Sequence, residues 1–187
     1  MKTKLILSSL LLTTYFVVSA QQIAVKSMYE DNSELYVAVA ENPNMPQEIL
    51  NYLSKDSDYY VRRAVARNPS TSIEILQEFS KDKYSEIRES VAENPNTPIE
   101  TLKELAKDYD ALVRRGIAGN PSTQIEVLQV LAKNREDYVR NIVAKNPNTP
   151  IEVLLELAND NMISVRSGVA RNSNTPVNIL EKFVNGQ

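Results

Sequence analysis

Cysteine, histidine and tryptophan are absent from this sequence, which has only four glycines and three phenylalanines. Without cysteine there is no disulfide framework, no iron–sulfur cluster and no thiolate zinc site. Without histidine the usual general base and the commonest metal ligand are missing, so no hydroxyl nucleophile has an imidazole to activate it. Four glycines leave no room for a glycine-rich phosphate loop. Nor is there an excess of positive charge: 21 Lys and Arg stand against 24 Asp and Glu, a net charge of −3. Nucleic acid and anionic membrane surfaces call for a basic face, and neither is expected as a partner. Together these absences argue against an enzyme and against any cofactor or resident metal.

Long hydrophobic runs are scarce too. The main one, Leu5 to Val18, is interrupted by Ser8, Ser9, Thr13 and Thr14. It falls short of the ~20 apolar residues a spanning helix needs. With Lys2 and Lys4 before it and Val18-Ser19-Ala20 after it, residues 1–20 read as a secretory signal peptide. Cleavage would start the chain at Gln21, remove two lysines, and take the charge from 21 − 24 = −3 to 19 − 24 = −5. The expected location is therefore periplasmic or extracellular, with no membrane span after cleavage and, lacking cysteine, no lipid anchor.

What the chain does have is repetition. Asn recurs at 42, 68, 94, 120, 146 and 172, at intervals of 26 residues, followed by Pro in the first five copies and Ser173 in the last. Self-similarity at such a period marks a stacked array. After a lead-in at 21–30, six units fit 31–56, 57–82, 83–108, 109–134, 135–160 and 161–186, leaving no space for another domain.

Each unit divides into two short helices. The first carries apolar residues four apart, as Val61 and Val65 or Val113 and Ile117, which lie on one side of a helix. Between them stands Ala38, Ala64, Ser90, Gly116, Ile142 or Gly168, and one residue past the second comes an unvarying alanine, from Ala40 to Ala170. Small residues at these places predict close contact between neighbouring units. Asn-Pro then ends the helix, because proline pushes its predecessor out of the α region. Thr97-Pro98-Ile99-Glu100 and its equivalents predict the second helix, with Thr as N-cap, Pro first in the helix and Glu completing a capping box. Met45 and Asn178 break that pattern in the end units, as capping repeats do. Leu50, Leu76, Leu102, Leu128, Leu154 and Leu180 are expected to face inward.

Three sets of residues are candidates for more than packing. Arg62, Arg88, Arg114, Arg140 and Arg166 form a ladder, with Asp56, Asp82, Asp108, Asn134 and Asp160 six residues before each. Its structural reading, an arginine forked onto a carboxylate or carbonyl of its own or the adjacent unit, outweighs an anion-binding stripe. Asn68, Asn94, Asn120 and Asn146 are expected to bond backbone at the turn or in the neighbouring unit. Tyr59, Tyr60, Tyr84, Tyr109 and Tyr138 lie where the first helices begin, and would project along one edge of the array. Aromatic enrichment makes that edge the candidate partner-binding surface. Asp56 with Asp58, and Asp108 with Asp110, hint at Ca²⁺, but no glycine-containing calcium loop follows either pair.

The joint pattern Val139-Arg140, Val143-Ala144, Asn146-Pro147, Thr149-Pro150, Glu152, Leu154, Leu157-Ala158 and Asp160 closely resembles the leucine-rich repeat variant family. The resemblance covers residues 31–186. It implies an all-α, right-handed superhelical solenoid of six helix–turn–helix repeats, with some short helices of 3₁₀ type, and no enzyme activity. The period is somewhat longer than is usual in that family, and the cysteine-rich iron–sulfur segment of some members has no counterpart. HEAT and armadillo arrays, at ~40–47 residues per unit, fit less well. The functional expectation is a non-catalytic, monomeric, exported scaffold that binds an unidentified protein over an extended surface. The alternative is an accessory protein of the cell envelope that binds glycan, a small ligand or Ca²⁺.

Overall fold

The structure is a computed structural model that describes residues 33–185. The expected signal peptide at 1–20 and the lead-in at 21–30 lie outside the described residues. Twelve helices run through the described part: α1 (Ser33–Glu41), α2 (Gln47–Leu53), α3 (Tyr59–Arg67), α4 (Ile73–Phe79), α5 (Ser85–Glu93), α6 (Ile99–Leu105), α7 (Ala111–Gly119), α8 (Ile125–Leu131), α9 (Asp137–Lys145), α10 (Ile151–Leu157), α11 (Ile163–Arg171) and α12 (Val177–Asn185). There is no strand among the described residues. The fold is an all-α solenoid. The second helices are α-helical rather than 3₁₀, so that element of the resemblance does not carry over.

The odd-numbered helices have nine residues each, and the even-numbered ones seven, apart from α12 with nine. A seven-residue helix cannot stand alone in water. It is held by burial. Leu50, Leu76, Leu128 and Leu154 are fully inaccessible, and Leu102 nearly so. Burying one such side chain stabilises by roughly 1.5–3 kcal/mol. In the last described unit Leu180 is only half-buried. In the first, Leu35 is exposed and Tyr36 buried.

Odd-numbered helices pack directly on the next odd-numbered helix, with no comparable approach among the even-numbered ones. The odd side is thus the tighter layer of the array. Its spacing is uneven for a simple reason. At Gly116 an added Cβ would stand 2.9 Å from the Cβ of Ala92 and 3.0 Å from the Glu89 carbonyl oxygen. At Gly168 it would stand 3.0 Å from both the Ala144 Cβ and the Asn141 carbonyl oxygen. Helices α5 and α7, and again α9 and α11, approach closely because glycine occupies those places. Ile142 at the equivalent place keeps α7 and α9 further apart.

Each odd-numbered helix ends at the repeated asparagine. Asn68, Asn94, Asn120 and Asn146 are extended, with ψ between 124° and 129°, as residues before proline should be. Asn172 adopts ψ 127° although Ser173 follows it. Proline therefore helps this turn but does not by itself define it.

The starts of the even-numbered helices differ from expectation. Thr71, Thr97, Thr123, Thr149 and Thr175 do not cap them. Each hydroxyl instead donates backward to the last turn of the preceding helix, as from Thr97 to the Val91 carbonyl at 2.6 Å and from Thr123 to the Ile117 carbonyl at 2.7 Å. The cap position falls one residue later, on Ser72, Pro98, Gln124 or Pro150. Only Ser72 among these uses its side chain, accepting from the Ile75 amide at 3.4 Å. A buried threonine hydroxyl finds a nearer acceptor in the orphan carbonyls left by the first helix, and the capping box gives way.

Candidate functional site

The asparagine ladder is the most regular polar feature. Each side-chain amide donates to two carbonyls of the preceding unit: Asn94 to Ala66 at 2.8 Å and Asn68 at 3.0 Å, Asn120 to Ala92 at 2.7 Å and Asn94 at 3.0 Å. Asn68, Asn146 and Asn172 repeat this. The side-chain oxygen meanwhile accepts from the amide two residues on, as Asn96 donates to Asn94 at 2.9 Å. The alanine whose carbonyl is used has no exposed surface in the first five units, while Ala170, with no unit after it, is exposed. Beside this row the residue two after the ladder asparagine donates to the proline carbonyl one unit back, as from Asn96 to Pro69 at 2.6 Å and from Asn174 to Pro147 at 2.7 Å.

The arginine ladder works in both directions at once. Arg88 Nη1 donates to the Asp82 carbonyl, at the end of the preceding unit, at 2.8 Å. Its Nε and Nη2 grip the Asp108 carboxylate at the end of its own unit at 2.7 Å and 2.9 Å. Arg140 holds Asn134 and Asp160 in the same way. Arg62 reaches Asp82 more loosely at 3.3 Å. Arg166 bonds the carbonyls of Asp160 and Asn161. Arg114 is the weak rung, because Asn134 replaces the aspartate; its Nη2 lies 3.4 Å from that amide oxygen and its buried Nε has no partner. In the first unit the buried Tyr36 stands in the arginine's place, and burial, then the negative charges of Tyr52 and Asp56, raise its pKa.

The aspartates suspected of binding Ca²⁺ are committed to backbone. Asp56 and Asp108 accept from the amides of Asp58 and Asp110, which accept in turn from those of Tyr60 and Leu112. These are the turns that open the odd-numbered helices. No group of acidic side chains able to hold a metal is present among the described residues.

Three of the five tyrosines touch one another. Tyr59 lies between Tyr60 and Tyr84, with ring centroids 4.0 Å and 5.1 Å away. A hydrogen bond with Tyr60 and then burial push the Tyr59 hydroxyl up to about 12. Lys83 sits over the Tyr84 ring at 4.9 Å. Tyr109 stands apart beneath the Arg88 guanidinium at 4.8 Å, and is 77% exposed. Tyr138 is exposed on α9 and joins none of them. The first three make a patch; the other two do not extend it.

Where the units differ most is the outer surface of the odd-numbered helices. Glu89 there is buried and paired with Arg115 of the next unit, and Arg67 lies 3.7 Å from Glu93. Burial raises the Glu89 carboxyl, although Arg115 pulls it the other way. Arg63 is the exception. Its Nε is buried without a partner, and with Arg67, Tyr60, Glu34 and Glu41 it lines a depression of about 330 Å³ between the first two units. A smaller one, about 280 Å³, opens over Gly116, Gly119 and Ile142, with Glu93 and Arg115 at its rim.

The family model of the leucine rich repeat variant matches residues 86–110, from near the start of α5 to the turn before α7. A solved structure described as a leucine-rich repeat variant with a novel repetitive protein structural motif aligns with a TM-score of 0.61 and 28% identity. The alignment covers 85% of this chain and 64% of that one. One unit thus matches the leucine rich repeat variant model, and the array is similar in fold to that solved structure. No curated protein matches it.

One surface of the array was missed by sequence reasoning. Ile73, Ile99, Ile125, Ile151 and Val177, the first residues of the even-numbered helices from α4 onward, are all exposed. They stand three residues before the buried leucines of the same helices. Their recurrence was the available signal.

Proposed function

We propose that the chain is an exported, monomeric, non-catalytic scaffold that binds another protein along the extended surface of its array. The observation that carries this reading is how the repeated polar residues are used. Asn, Thr, Arg and Asp of each unit are taken up in bonds to backbone or to the adjacent unit, which leaves the consensus as scaffold. Candidate contact surface lies in the exposed residues that stacking does not need, the Tyr59, Tyr60 and Tyr84 patch among them. Both depressions are shallow and open, which suits a broad partner better than an enclosed substrate. Export rests on the signal-like residues 1–20, and no helix among the described residues is long and apolar enough to cross a membrane.

A second reading is favoured by one observation: the unpartnered Arg63 Nε beside a depression would suit a small anionic ligand. The experiment that separates the two is cross-linked capture with the purified chain from the envelope fraction of its own cells. A stoichiometric protein partner, weakened by Tyr60→Ala at unchanged melting temperature, is the expected result. Recovery of a small ligand alone, lost in Arg63→Ala, would replace the scaffold reading.

A further inference from the structure

We propose that the row Ile73, Ile99, Ile125, Ile151 and Val177 is the docking surface for a basic amphipathic helix of the protein partner, an inference that rests on the binding role proposed above. These residues are 45–68% exposed, whereas Leu76, Leu102, Leu128 and Leu154, three residues further on, are at most 2% exposed. Stacking therefore does not need them. Local structure does not ask for them either. Each begins a helix, a place where proline, acidic and small polar residues are the favoured choices and a β-branched side chain gains nothing. An aliphatic residue repeated five times in register, at a cost in solubility, points to a use outside the fold.

The row is widened near its far end. Leu155, one turn along α10 from Ile151, is 40% exposed, while the equivalent places hold Asn51, Gln77, Lys103, Gln129 and Glu181. Next to the row run Glu74, Glu100, Glu126 and Glu152, all exposed. Lys103 offsets only Glu100, at 2.9 Å. An apolar stripe with an acidic margin is complementary to an apolar stripe with a basic margin. A second copy of this chain would bring two glutamate rows together, so self-association across this face is disfavoured.

The spacing selects the form of the partner. Neighbouring units stack at about 8–10 Å on the tight side and somewhat more on the even-numbered side. In an α-helix, residues seven apart share a face and lie about 10.5 Å from each other. Each isoleucine can thus meet one apolar residue per heptad. In a strand, same-face residues recur at about 6.6 Å or 13 Å, which falls out of register within two units.

A synthetic lysine–leucine helix of about three heptads, with leucine at the two core positions of each, is the probe. Its scrambled isomer is the control. Titrated into the full chain and followed by fluorescence anisotropy, the amphipathic isomer should bind saturably at micromolar concentration and at least about tenfold more tightly than the control. The pair Ile99→Asn and Ile125→Asn should weaken it about tenfold or more, with a smaller fall in melting temperature than Leu102→Asn causes, since both isoleucines are about half exposed. Glu100→Lys with Glu126→Lys should weaken it most at low salt. Equal binding by the wild-type chain and the isoleucine variants, or no preference between the two isomers, would overturn the proposal. Weakening by Tyr60→Ala instead would move the surface to the tyrosine patch. None of these failures would remove a protein partner captured by cross-linking; absence of that partner is what would sink the scaffold reading itself.

Discussion

The side-chain amide of Asn120 donates to the carbonyl oxygen of Ala92 at 2.7 Å, across the boundary between two units. The same amide reaches the Asn94 carbonyl, and its oxygen holds the Ser122 amide at 2.7 Å. One side chain thus closes the last turn of one unit and shapes the turn of the next. Asn120→Ala leaves buried carbonyls without a donor, at about 1–3 kcal/mol for each group so stranded. The expected loss is about 2–4 kcal/mol in urea denaturation. Asn42 is exposed, and its oxygen serves the Asn44 amide. Asn42→Ala should cost about 1 kcal/mol or less, and equal losses at the two sites would contradict the ladder.

The two glycines of α7 should respond with opposite sign. Gly116→Ala places a methyl 2.9 Å from the Ala92 Cβ and 3.0 Å from the backbone oxygen of Glu89. Neither neighbour has a flexible end to move, so α5 and α7 must separate at a cost of about 1–3 kcal/mol. At Gly119 the nearest atom is the Ile142 Cγ2 at 3.4 Å. Gly119→Ala should therefore stabilise by up to about 1 kcal/mol through helix propensity. Thermal melts of the two variants decide the matter. Shifts in the same direction would show that packing does not set the spacing.

Asn134→Asp repairs the weak rung. Arg88 grips Asp108 with two bonds, whereas Arg114 has a single long contact to Asn134 and an unpartnered Nε. A carboxylate in place of the amide should stabilise by about 1 kcal/mol, the scale of a charge-assisted bond in this half-buried setting. The gain should vanish in the Arg114→Ala background. A gain that persists without Arg114 would mean it comes from elsewhere.

Stability should peak in mild acid. The Arg140 hydrogen bond lowers the Asp160 carboxyl, and the Leu112 amide lowers that of Asp110. Their contribution is complete above the ordinary aspartate value of about 3.9 and is lost as pH falls through the lower folded values. Glu89 acts in the opposite sense. Burial raises its carboxyl, so stability is lost as pH rises past about 4.3 and through the folded value. Glu89→Gln should flatten the upper limb of a plot of melting temperature against pH, and Asp160→Asn should shrink the lower one. A wild-type profile without any maximum would count against both assignments.

Most of the scaffold was legible because each repeated residue has a local cause. Asn-Pro stops a helix wherever it occurs, and leucines at matching places need burial. The arginine was expected to fork onto a carboxylate or carbonyl of its own or the adjacent unit, and Arg88 takes a carbonyl of the preceding unit together with a carboxylate of its own. The threonines were misread because the N-cap rule considers one helix at a time. Here the carbonyls of the preceding helix compete for the same hydroxyl, and those carbonyls are brought near only by the turn. Of the five tyrosines grouped at the helix starts, Tyr59, Tyr60 and Tyr84 touch, while Tyr109 packs against Arg88 and Tyr138 lies three units beyond Tyr60 at the same place in the repeat. The aliphatic row recurs in five of the six units, Gln47 standing there in the first, and periodicity alone does not tell an inward residue from one at a helix's first turn.

The uneven spacing of the odd-numbered helices has a consequence for how the molecule can be lengthened or shortened. Gly116 and Gly168 stand two units apart with Ile142 between them, so from the third unit onward close and open joints alternate. The building block there is a pair of units, although the sequence period is a single one. Excising one unit would seat a glycine helix on a partner shaped for another joint. Excising a pair would preserve every joint type, and variants shortened in even steps should keep their cooperativity where odd ones lose it.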